Sequence, residues 1–272
     1  MSQSSGQRKS RRRQLQASHQ KNWLTGRYAV LEVLKATAWP VNSLLVADDL
    51  LFNELENVKK LATSADVSVE VCGRDRLTEL SGSDHHQGYL ARMAEYPYLS
   101  VGTLLQQAVA KRNGNQQPLL VVCDRIQDTF NFGAILRCCD AMNVCGVVIG
   151  QAGQAGVTPQ VARSSSGAVN HVPIAATDNL SNACRSISEA GFTIAAASEK
   201  SDSAAWNSRL STPVALIIGS EAHGVSEELI DLCDDHLRIP MLGQVSSLNA
   251  AVAAGILLYE IRRQQLSKSD EA

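Results

Sequence analysis

A short apolar run that stops at a glycine constrains this chain more than any other feature. Val214 to Ile218 is entirely apolar and is followed at once by Gly219, which is the pattern of a buried parallel strand that ends in a loop. Open α/β sheets bind ligands at the carboxyl ends of their strands. The run therefore predicts an α/β fold with a mostly parallel sheet, and it marks the loop at Gly219 as one wall of a binding site.

Two further segments predict loops of the same kind. Residues 237–239 form a candidate strand that Pro240 ends, because proline fixes φ and lacks an N–H. Residues 249–264 form a predicted helix, with Ser246 and Ser247 where an N-cap belongs. The many alanines of this helix provide a small face that can pack closely against a backbone or a ligand. Three loop tips are therefore expected to line one pocket.

Composition is typical of a globular protein without an export signal. The chain has 272 residues and is 44% hydrophobic, which is enough for sizeable cores. No apolar run approaches the roughly 18 residues that cross a bilayer, and the N-terminus lacks the apolar core of a signal peptide. We therefore expect a cytoplasmic protein that does not enter a membrane. Its seven cysteines show no C-x-x-C pair, which favours buried free thiols over disulfides or a zinc site.

The formal net charge of -2 conceals a basic N-terminus. Residues 1–27 hold seven basic residues and no acidic one, and large apolar residues are almost absent before Trp23. Residues 1–22 are therefore predicted to be a disordered tail. Such an arm attracts phosphate-rich partners in a salt-dependent way. A solubilising terminus and an Arg- and Ser-rich transit peptide are the alternatives.

The segment after the tail, residues 23–95, predicts a small α/β domain. Its candidate elements are a helix after Gly26, strands at 43–47, 67–71 and 89–93, and helices at 51–62 and 75–80. Within it, the run Asp84-His85-His86-Gln87-Gly88 could be a metal or catalytic site. Adjacent histidines diverge from an extended chain, however, and no third ligand stands at a metal-like spacing. A turn that enters a strand is the favoured interpretation.

A polar break near Pro97 predicts a linker, residues 96–117, with a helix at 101–112. The larger domain is expected at 118–266, followed by a short tail at 267–272. Its predicted strands lie at 119–123, 144–149, 169–174, 192–197 and the two segments already described. The glycine-rich run 150–156 lacks the spacing of a dinucleotide fingerprint, and neither a Walker A motif nor a G-x-S-x-G elbow is present in the sequence.

Polar residues that could act on a phosphate-rich substrate follow the first strand of this larger domain. Asp124 and Asn131 stand near the strand end, and Arg137 lies in the early turns of the next helix. The guanidinium of Arg137 could hold a phosphate by a bidentate fork, or it could simply be solvated. Arg163 and Ser165 belong to a run of one arginine and three serines, which is a candidate site for backbone phosphates.

Three ordered motifs resemble those of the SpoU/TrmH family of RNA ribose 2′-O-methyltransferases. They are DRIQDTFNFGAILR at 124–137, LIIGSEAHG at 216–224 and IPMLGQVSSLNAAVAAGILLYE at 239–260. In addition, LTGRYAVLEVL at 24–34 and DHHQGYLA at 84–91 are similar to the L30e-like domain of the branch that methylates guanosine in 23S ribosomal RNA. The family usually has proline at Thr129, histidine or glycine at Phe130, and glycine-glutamate at Ala222-His223.

The resemblance implies an α/β-knot, in which the C-terminal segment of a mostly parallel sheet domain passes through a loop to form a trefoil knot. A smaller N-terminal L30e-like domain precedes it. Relatives are homodimers through the knot and bind S-adenosylmethionine there, largely through main-chain groups. The positions that match this cofactor site are Gly219, Ile239 and Leu248. The reaction needs no metal.

The resemblance also implies that Arg137 is the catalytic centre of the site. Because arginine is essentially always protonated, we expect it to bind the neighbouring phosphate and stabilise the developing alkoxide, while the proton leaves to a phosphate oxygen or water. Asn131 and Asn249 would orient the ribose or the arginine, and Glu221 would fix the loop geometry. Asn249 could instead only start a helix and Glu221 only cap one. Ser247 either caps the last helix or contacts RNA.

The expected function is therefore S-adenosylmethionine-dependent 2′-O-methylation of a ribose in structured RNA. The L30e-like domain and the basic tail favour ribosomal RNA, with a guanosine of 23S RNA as the target. A transfer RNA 2′-O-methyltransferase is the alternative within the same chemistry. A non-catalytic RNA-binding knot protein is the alternative outside it.

Overall fold

The structure, a computed structural model, describes residues 22–113, 117–199, 201 and 203–269. The chain forms two compact units: a front unit that ends at Pro97 and also includes Val157–Arg163, and a second unit formed by Tyr98–Gly156 and the residues from Ser164 onward. The predicted basic tail lies outside the described residues apart from Asn22, and so do residues 270–272. None of the described helices is both long and apolar enough to cross a membrane.

The described part of the front unit contains a mixed four-stranded sheet and three helices, together with most of a further helix, Pro159–Ser164. Its elements are β1 (Trp23–Thr25), α1 (Arg27–Ala36), β2 (Val41–Ala47), α2 (Phe52–Ser64), β3 (Val69–Cys72), α3 (Arg74–Ser81) and β4 (Tyr89–Met93). The strand order is β1-β4-β2-β3, with β3 parallel to β2 and β4 antiparallel to both of its neighbours. The sequence predicted these elements except β1, because a three-residue strand is too short to show a period.

The core of the front unit follows from its apolar pattern. The last four residues of β2 are all buried, as are Leu90 and Ala91 of β4 beside them. The buried residues of α1 are Val30, Leu31, Val33 and Leu34, which recur at the 3- and 4-residue spacing that one side of a helix requires.

The second unit is built on a six-stranded parallel sheet. Its elements are α4 (Val101–Ala110), β5 (Leu119–Asp124), α5 (Thr129–Ala141), β6 (Gly146–Gly150), α6 (Pro159–Ser164, mostly in the front unit), β7 (Ile174–Thr177), α7 (Leu180–Glu189), β8 (Thr193–Ala197), β9 (Val214–Gly219), α8 (Glu227–Ile230), β10 (Asp235–Leu237) and α9 (Ala250–Ser269). The strand order is β10-β8-β9-β5-β6-β7, and every neighbouring pair is parallel. The predicted α/β class with a mostly parallel sheet is confirmed.

Several predicted boundaries were wrong. The expected strand at 169–174 is a 3₁₀ turn at Ala168–Asn170, and β7 starts only at Ile174. Val169 and Val172 are nevertheless buried, so the apolar pattern there reported burial and not an extended backbone. The strand expected at 237–239 is β10, two residues earlier, and the last helix runs from Ala250 to Ser269.

The small face of α9 packs on α5. Ala254, Leu258 and Ile261 of α9 are fully buried, and a Cβ added to Gly255 would lie 3.2 Å from the Sγ of Cys138. The sequence left open whether this face meets a backbone or a ligand, and the structure shows helix packing. A parallel sheet with α9 on α5 is consistent with the α/β-knot that the motifs imply.

Candidate active site

Three polar side chains from distant parts of the sequence form one hydrogen-bonded cluster. The Nδ2 of Asn249 donates to the Oδ1 of Asn131 at 2.9 Å and lies 3.3 Å from the Oε1 of Glu221. The Nδ2 of Asn131 donates to the same Glu221 oxygen. The three residues lie in the first turn of α5, in the loop after β9 and immediately before α9. The structure therefore brings together three of the four residues predicted to be catalytic.

Helix caps hold two members of this cluster in place. The Oδ1 of Asp128 accepts a hydrogen bond from the backbone N–H of Asn131 at 2.8 Å, as an N-cap of α5. The Oδ1 of Asn249 accepts from the N–H groups of Ala251 and Val252 at 3.0 and 3.3 Å, which caps α9. The amide of Asn249 thus caps with its oxygen and donates with its nitrogen.

The expectation that Ser246 or Ser247 caps the last helix was wrong, because α9 starts at Ala250 and Asn249 supplies the capping oxygen. Ser247 is exposed in the loop before it. The side chain of Asn249 therefore both caps the start of the helix and belongs to the polar cluster.

A buried carboxylate fastens the loop that carries Glu221. Asp124, at the end of β5, is only 3% exposed, and its Oδ2 accepts from the N–H of Ser226 at 2.7 Å. The guanidinium of Arg125 donates to both Asp124 oxygens at 3.0 and 3.2 Å and reaches the carbonyl of Gly224 at 3.4 Å. Asp124 and Arg125 therefore bind the backbone at the end of the loop, at Ser226 and Gly224, and hold the loop in its conformation.

Arg125 is a contribution that the sequence did not reveal. It adopts a positive φ of 60°, which is uncommon for a residue with a side chain. A clamp on a loop 99 residues away has no local sequence signal. Only the placement of Asp124 at a strand end suggested that this corner carries polar residues.

Gly219 is required by close packing at the end of β9. A Cβ at this position would lie 2.0 Å from the carbonyl carbon of Gly224 and 2.2 Å from the nitrogen of Val225. These are backbone atoms, so they cannot move aside as a flexible side chain could. The loop can fold back to its bridge between Ser220 and Gly224 only because residue 219 is glycine.

The three predicted cofactor positions lie at or after the carboxyl ends of β9 and β10, or in the loop before α9. β8 separates β9 from β10, and the register places Gly219 level with Arg238, one residue before Ile239. Two strand spacings place Gly219 and Arg238 roughly 10 Å apart, with the end of β8 between them. Leu248 directly precedes Asn249, whose side chain contacts the loop after β9. In the same loop, the buried hydroxyl of Ser220 has no hydrogen-bond partner among the described residues.

Arg137 makes no hydrogen bond to the cluster. It lies six residues after Asn131 on α5, which rotates it by about 120° around the helix axis. Its side chain is exposed, and no hydrogen bond or ion pair of Arg137 exists within the described ranges. Cys138 beside it has a pKa raised by burial, which the positive charge of Arg137 partly opposes.

The residues predicted to bind RNA have different surroundings. Arg163 is exposed but donates to the hydroxyl of Thr25 at 2.9 Å and to the Oε1 of Gln160 at 2.5 Å, all inside the front unit. Ser165 is 1% exposed, and its hydroxyl accepts from the N–H of Val169 at 3.4 Å. Burial argues against contact between the Ser165 side chain and RNA. An exposed Ser247 remains compatible with such contact.

The departures from the family motifs lie on the surface. Thr129 is the first residue of α5, directly after its cap, where proline is tolerated because the N–H has no partner inside the helix. Phe130, Ala222 and His223 are exposed. Their side chains therefore change the surface of the site and not its hydrogen-bonded frame.

His86 is a structural residue of the front unit. Its Nδ1 accepts from the N–H of Gly88 at 3.0 Å, so Nε2 carries the proton and faces the Thr78 hydroxyl at 3.1 Å. The ring is buried, and burial lowers its pKa. The favoured interpretation of this run as a turn agrees with this geometry. Across the described residues, no group of three His, Cys, Asp or Glu side chains could hold a metal.

All seven cysteines are free thiols. Burial raises the pKa of Cys123 to about 12 and that of Cys184 to about 11. Burial likewise raises the pKa of Cys233 to about 12. These thiols stay protonated at neutral pH and therefore cannot act as nucleophiles.

Comparisons with known proteins agree with this geometry. The family described as "SpoU rRNA Methylase family" matches residues 118–259, and "RNA 2'-O ribose methyltransferase substrate binding" matches residues 23–99. YacO of Bacillus subtilis (strain 168), named as a TrmH family tRNA/rRNA methyltransferase, is 32% identical over 248 residues, which is 91% of this chain and 98% of that protein.

Solved structures cover almost the whole chain. The SpoU methyltransferase AviRb from Streptomyces viridochromogenes, in complex with the cofactor AdoMet, aligns with a TM-score of 0.72 at 25% identity over 90% of both chains. An RNA 2′-O ribose methyltransferase aligns with a TM-score of 0.68 at 27% identity, over 93% of this chain and 92% of that one. The chain belongs to the SpoU/TrmH family of methyltransferases.

Proposed function

We propose that this protein transfers a methyl group from S-adenosylmethionine to a ribose 2′-hydroxyl of structured RNA. The observation that carries the proposal is the cluster of Asn131, Glu221 and Asn249 at the edge of a parallel sheet, in a chain of a methyltransferase family. Membership of that family supports methyl transfer to RNA. The match of residues 23–99 to the substrate-binding domain of RNA 2′-O ribose methyltransferases supports the 2′-hydroxyl as the acceptor.

The loops at Gly219, Ile239 and Leu248 fit the cofactor. These three residues are half-buried, Gly219 and Ile239 lie where β9 and β10 end, and the buried hydroxyl of Ser220 provides a hydrogen-bonding group beside Gly219. When bound, S-adenosylmethionine supplies an activated methyl on a sulfonium. The chain's own contribution is to hold these loops in place through Asp124 and Arg125.

The polar cluster would orient the acceptor. Glu221 accepts hydrogen bonds from both asparagines through one oxygen, and the Oδ1 of Asn131 accepts from Asn249. The second Glu221 oxygen and the second lone pair of the Asn131 Oδ1 are left for further donors. A ribose hydroxyl is such a donor. Because methyl transfer is an in-line displacement, alignment of the hydroxyl accounts for a large part of the rate.

Arg137 is proposed to bind the phosphate beside the reacting ribose. Its exposed guanidinium has no carboxylate partner within the described chain, so its charge is available to an RNA phosphate. From there it would stabilise the alkoxide that develops on the 2′-oxygen, while the proton leaves to a phosphate oxygen or water. Ser247, exposed in the loop before Asn249, is proposed as a further RNA contact.

A homodimer through α9 would complete this site. Val252, Ile256, Tyr259 and Leu266 form an exposed apolar stripe on α9, and Phe130 is exposed at the start of α5. An apolar stripe of this length on a helix is typical of a contact surface, and a two-fold axis would bury the same stripe of both copies. Sedimentation of the full chain, with Tyr259→Glu as the dissociating variant, tests this assembly.

The target is proposed to be ribosomal RNA, with a guanosine of 23S RNA favoured. The experiment that tests the function measures which part of the nucleotide receives the methyl group. RNA from cells that lack this gene is methylated with tritiated S-adenosylmethionine and hydrolysed with alkali. A 2′-O-methyl group blocks cleavage of the next phosphodiester, so label in alkali-stable dinucleotides supports the proposal. Label only in mononucleotides indicates base methylation and contradicts it. Absence of label with retained RNA binding favours a non-catalytic RNA-binding protein. Label confined to transfer RNA favours a transfer RNA 2′-O-methyltransferase.

A further inference from the structure

The front unit contains a cavity of its own, with a volume of about 340 Å³. Strand pairing brings Thr25, Ala47, Cys72 and Tyr89 to one edge of the sheet, and the loops that leave this edge line the cavity. The volume lies within the range of small-molecule and cofactor sites. No part of the polar cluster around Glu221 belongs to it.

Hydrogen bonds and close packing make this cavity preformed. The side chain of Gln87 accepts from the N–H of Arg27 at 3.0 Å, which joins the loop before β4 to the start of α1. Gly88 has a positive φ of 82°, and a Cβ there would lie 3.0 Å from the Cδ2 of Leu50. Three loops are therefore locked together, and little ordering is left to occur when a ligand binds.

The polar groups of the cavity are arranged in two ion pairs. Arg27 contacts Glu54 at 3.0 Å, and Arg74 contacts Asp49 at 2.7 Å. The two positive and two negative charges cancel, so the cavity has no excess positive charge to bind an isolated phosphate. Instead it presents N–H donors beside carboxylate acceptors, which is the mixture that the edge of a nucleobase requires.

Exposed apolar side chains surround these polar groups. Tyr28 is 80% exposed and Leu51 is 72% exposed, and both line the cavity. Phe52, the next residue and the first of α2, is 77% exposed. Tyr28 and Phe52 are the most exposed aromatic residues of the described chain. Exposed rings beside a polar cavity are what proteins use to stack unpaired bases.

We propose that this cavity binds one unpaired base of the RNA substrate, stacked on Tyr28 with its hydrogen-bonding edge toward the two ion pairs. The inference deepens the proposed function and rests on it in one respect, namely that the substrate is RNA. It assigns the front unit the recognition of an unstacked nucleotide, and it assigns the loop edge of the sheet, with Arg27, Arg74 and Tyr28, as the surface that does so.

The test compares two RNAs and three proteins. The probes are a hairpin RNA with a seven-nucleotide loop and a blunt duplex of the same length. The full-length proteins are wild type, Tyr28→Ala, and Tyr28→Phe, which keeps the ring. We expect the wild type to prefer the hairpin. Stacking is worth about 1–3 kcal/mol per base, so Tyr28→Ala should weaken hairpin binding by about 5- to 150-fold, while Tyr28→Phe binds nearly as tightly as wild type.

Three results would overturn the proposal: unchanged hairpin affinity of Tyr28→Ala, an equal loss for hairpin and duplex, or an equal loss for Tyr28→Ala and Tyr28→Phe. A cavity that serves a protein partner would give the first of these. Affinity for S-adenosylmethionine, measured on the same proteins, reports separately on the proposed function. If hairpin binding depends on the ring while no methyl reaches RNA, the base pocket stands and the catalytic proposal fails.

Discussion

Asn249 donates a hydrogen bond to Asn131 at 2.9 Å across 118 residues of sequence. This contact joins the start of α9 to the first turn of α5, and the carboxylate of Glu221 accepts from both amides. Two helix starts and one strand-end loop therefore share a single polar junction. The side-chain oxygens of Asp128 and Asn249 cap the two helices, whereas the side chains of Asn131 and Glu221 could bind a substrate.

Substitution of Asn249 can separate its two roles. Asn249→Ala removes the cap of α9 and should cost about 0.5–2 kcal/mol of stability. Asn249→Ser keeps a capping oxygen, so its stability should lie within a few tenths of a kcal/mol of wild type. Both remove the amide donor to Asn131 and Glu221, and methyl transfer should fall about 10-fold or more in each. Urea unfolding and initial rates measure the two effects; full activity of Asn249→Ser would contradict the role in the cluster.

A single methyl group at Gly219 should displace the loop that carries Glu221. The added Cβ lies 2.0 Å from backbone, and a shift of about 1 Å in a catalytic group can cost about 100-fold in rate. Gly219→Ala should therefore lose cofactor affinity and most of its activity. Gly73→Ala, in the front unit, is the matched control, because a Cβ there meets nothing within 4 Å. Calorimetry with S-adenosylmethionine measures the loss, and equal affinities of the two variants would refute it.

Arg262 anchors α9 to the body of the second unit. Its buried guanidinium donates to the carbonyls of Met142, Gln117 and Asn143 at 2.9–3.0 Å and to the Oε1 of Gln265 at 2.7 Å. Arg262→Met leaves these acceptors unpaired and should destabilise the fold by about 2–4 kcal/mol.

The neighbouring exposed pair provides the control for this prediction. Arg263 bonds Glu260 at the surface, where an ion pair is worth about 0–1 kcal/mol. Arg263→Met should therefore unfold in urea close to wild type. Similar unfolding midpoints for the two methionine variants would show that the buried network contributes little.

His86 should make the front unit sensitive to acid. Burial lowers the pKa of its ring in the folded state, so below the ordinary value of about 6.5 the unfolded chain binds the proton more readily. The contribution of the neutral ring to the free energy of unfolding is fully present above this pH, and it is lost as the pH falls toward the pKa of the folded state. In His86→Asn, an Oδ1 can still accept from Gly88, and this part of the decline should disappear. Thermal unfolding from pH 7.5 to 5 tests it; identical slopes for both proteins would exclude His86 as the cause.

The sequence predicted the sheet better than the site. Val214 to Ile218 and Leu119 to Cys123 are strands because every residue in them is apolar and buried, a signal that depends on local composition alone. The cap of α9 was misplaced because three candidate residues lie within four positions, and which one caps depends on how the loop enters the helix. Likewise, the clamp of Arg125 on Gly224 depends on the pairing of β5 with β9, which no local pattern encodes.

Motif resemblance supplied what periodicity could not. It selected Asn131, Glu221 and Asn249 from many polar residues, and the structure brings these three into contact. It also selected Arg137, which stands apart from them on the exposed side of α5. The proposed dimer and the bound RNA would supply the surroundings that this arginine lacks in a single chain.

Single-turnover methyl transfer by Arg137→Ala tests the proposed catalytic role most directly. Arg137 is exposed, so its removal should change stability by less than about 0.5 kcal/mol, and S-adenosylmethionine should bind as in wild type. Arg185→Ala, also exposed on the surface of the second unit, is the matched control. We predict a rate at saturating RNA at least about 100-fold lower for Arg137→Ala and unchanged for the control. A variant that binds both substrates and still transfers methyl at the wild-type rate would contradict the assignment of Arg137.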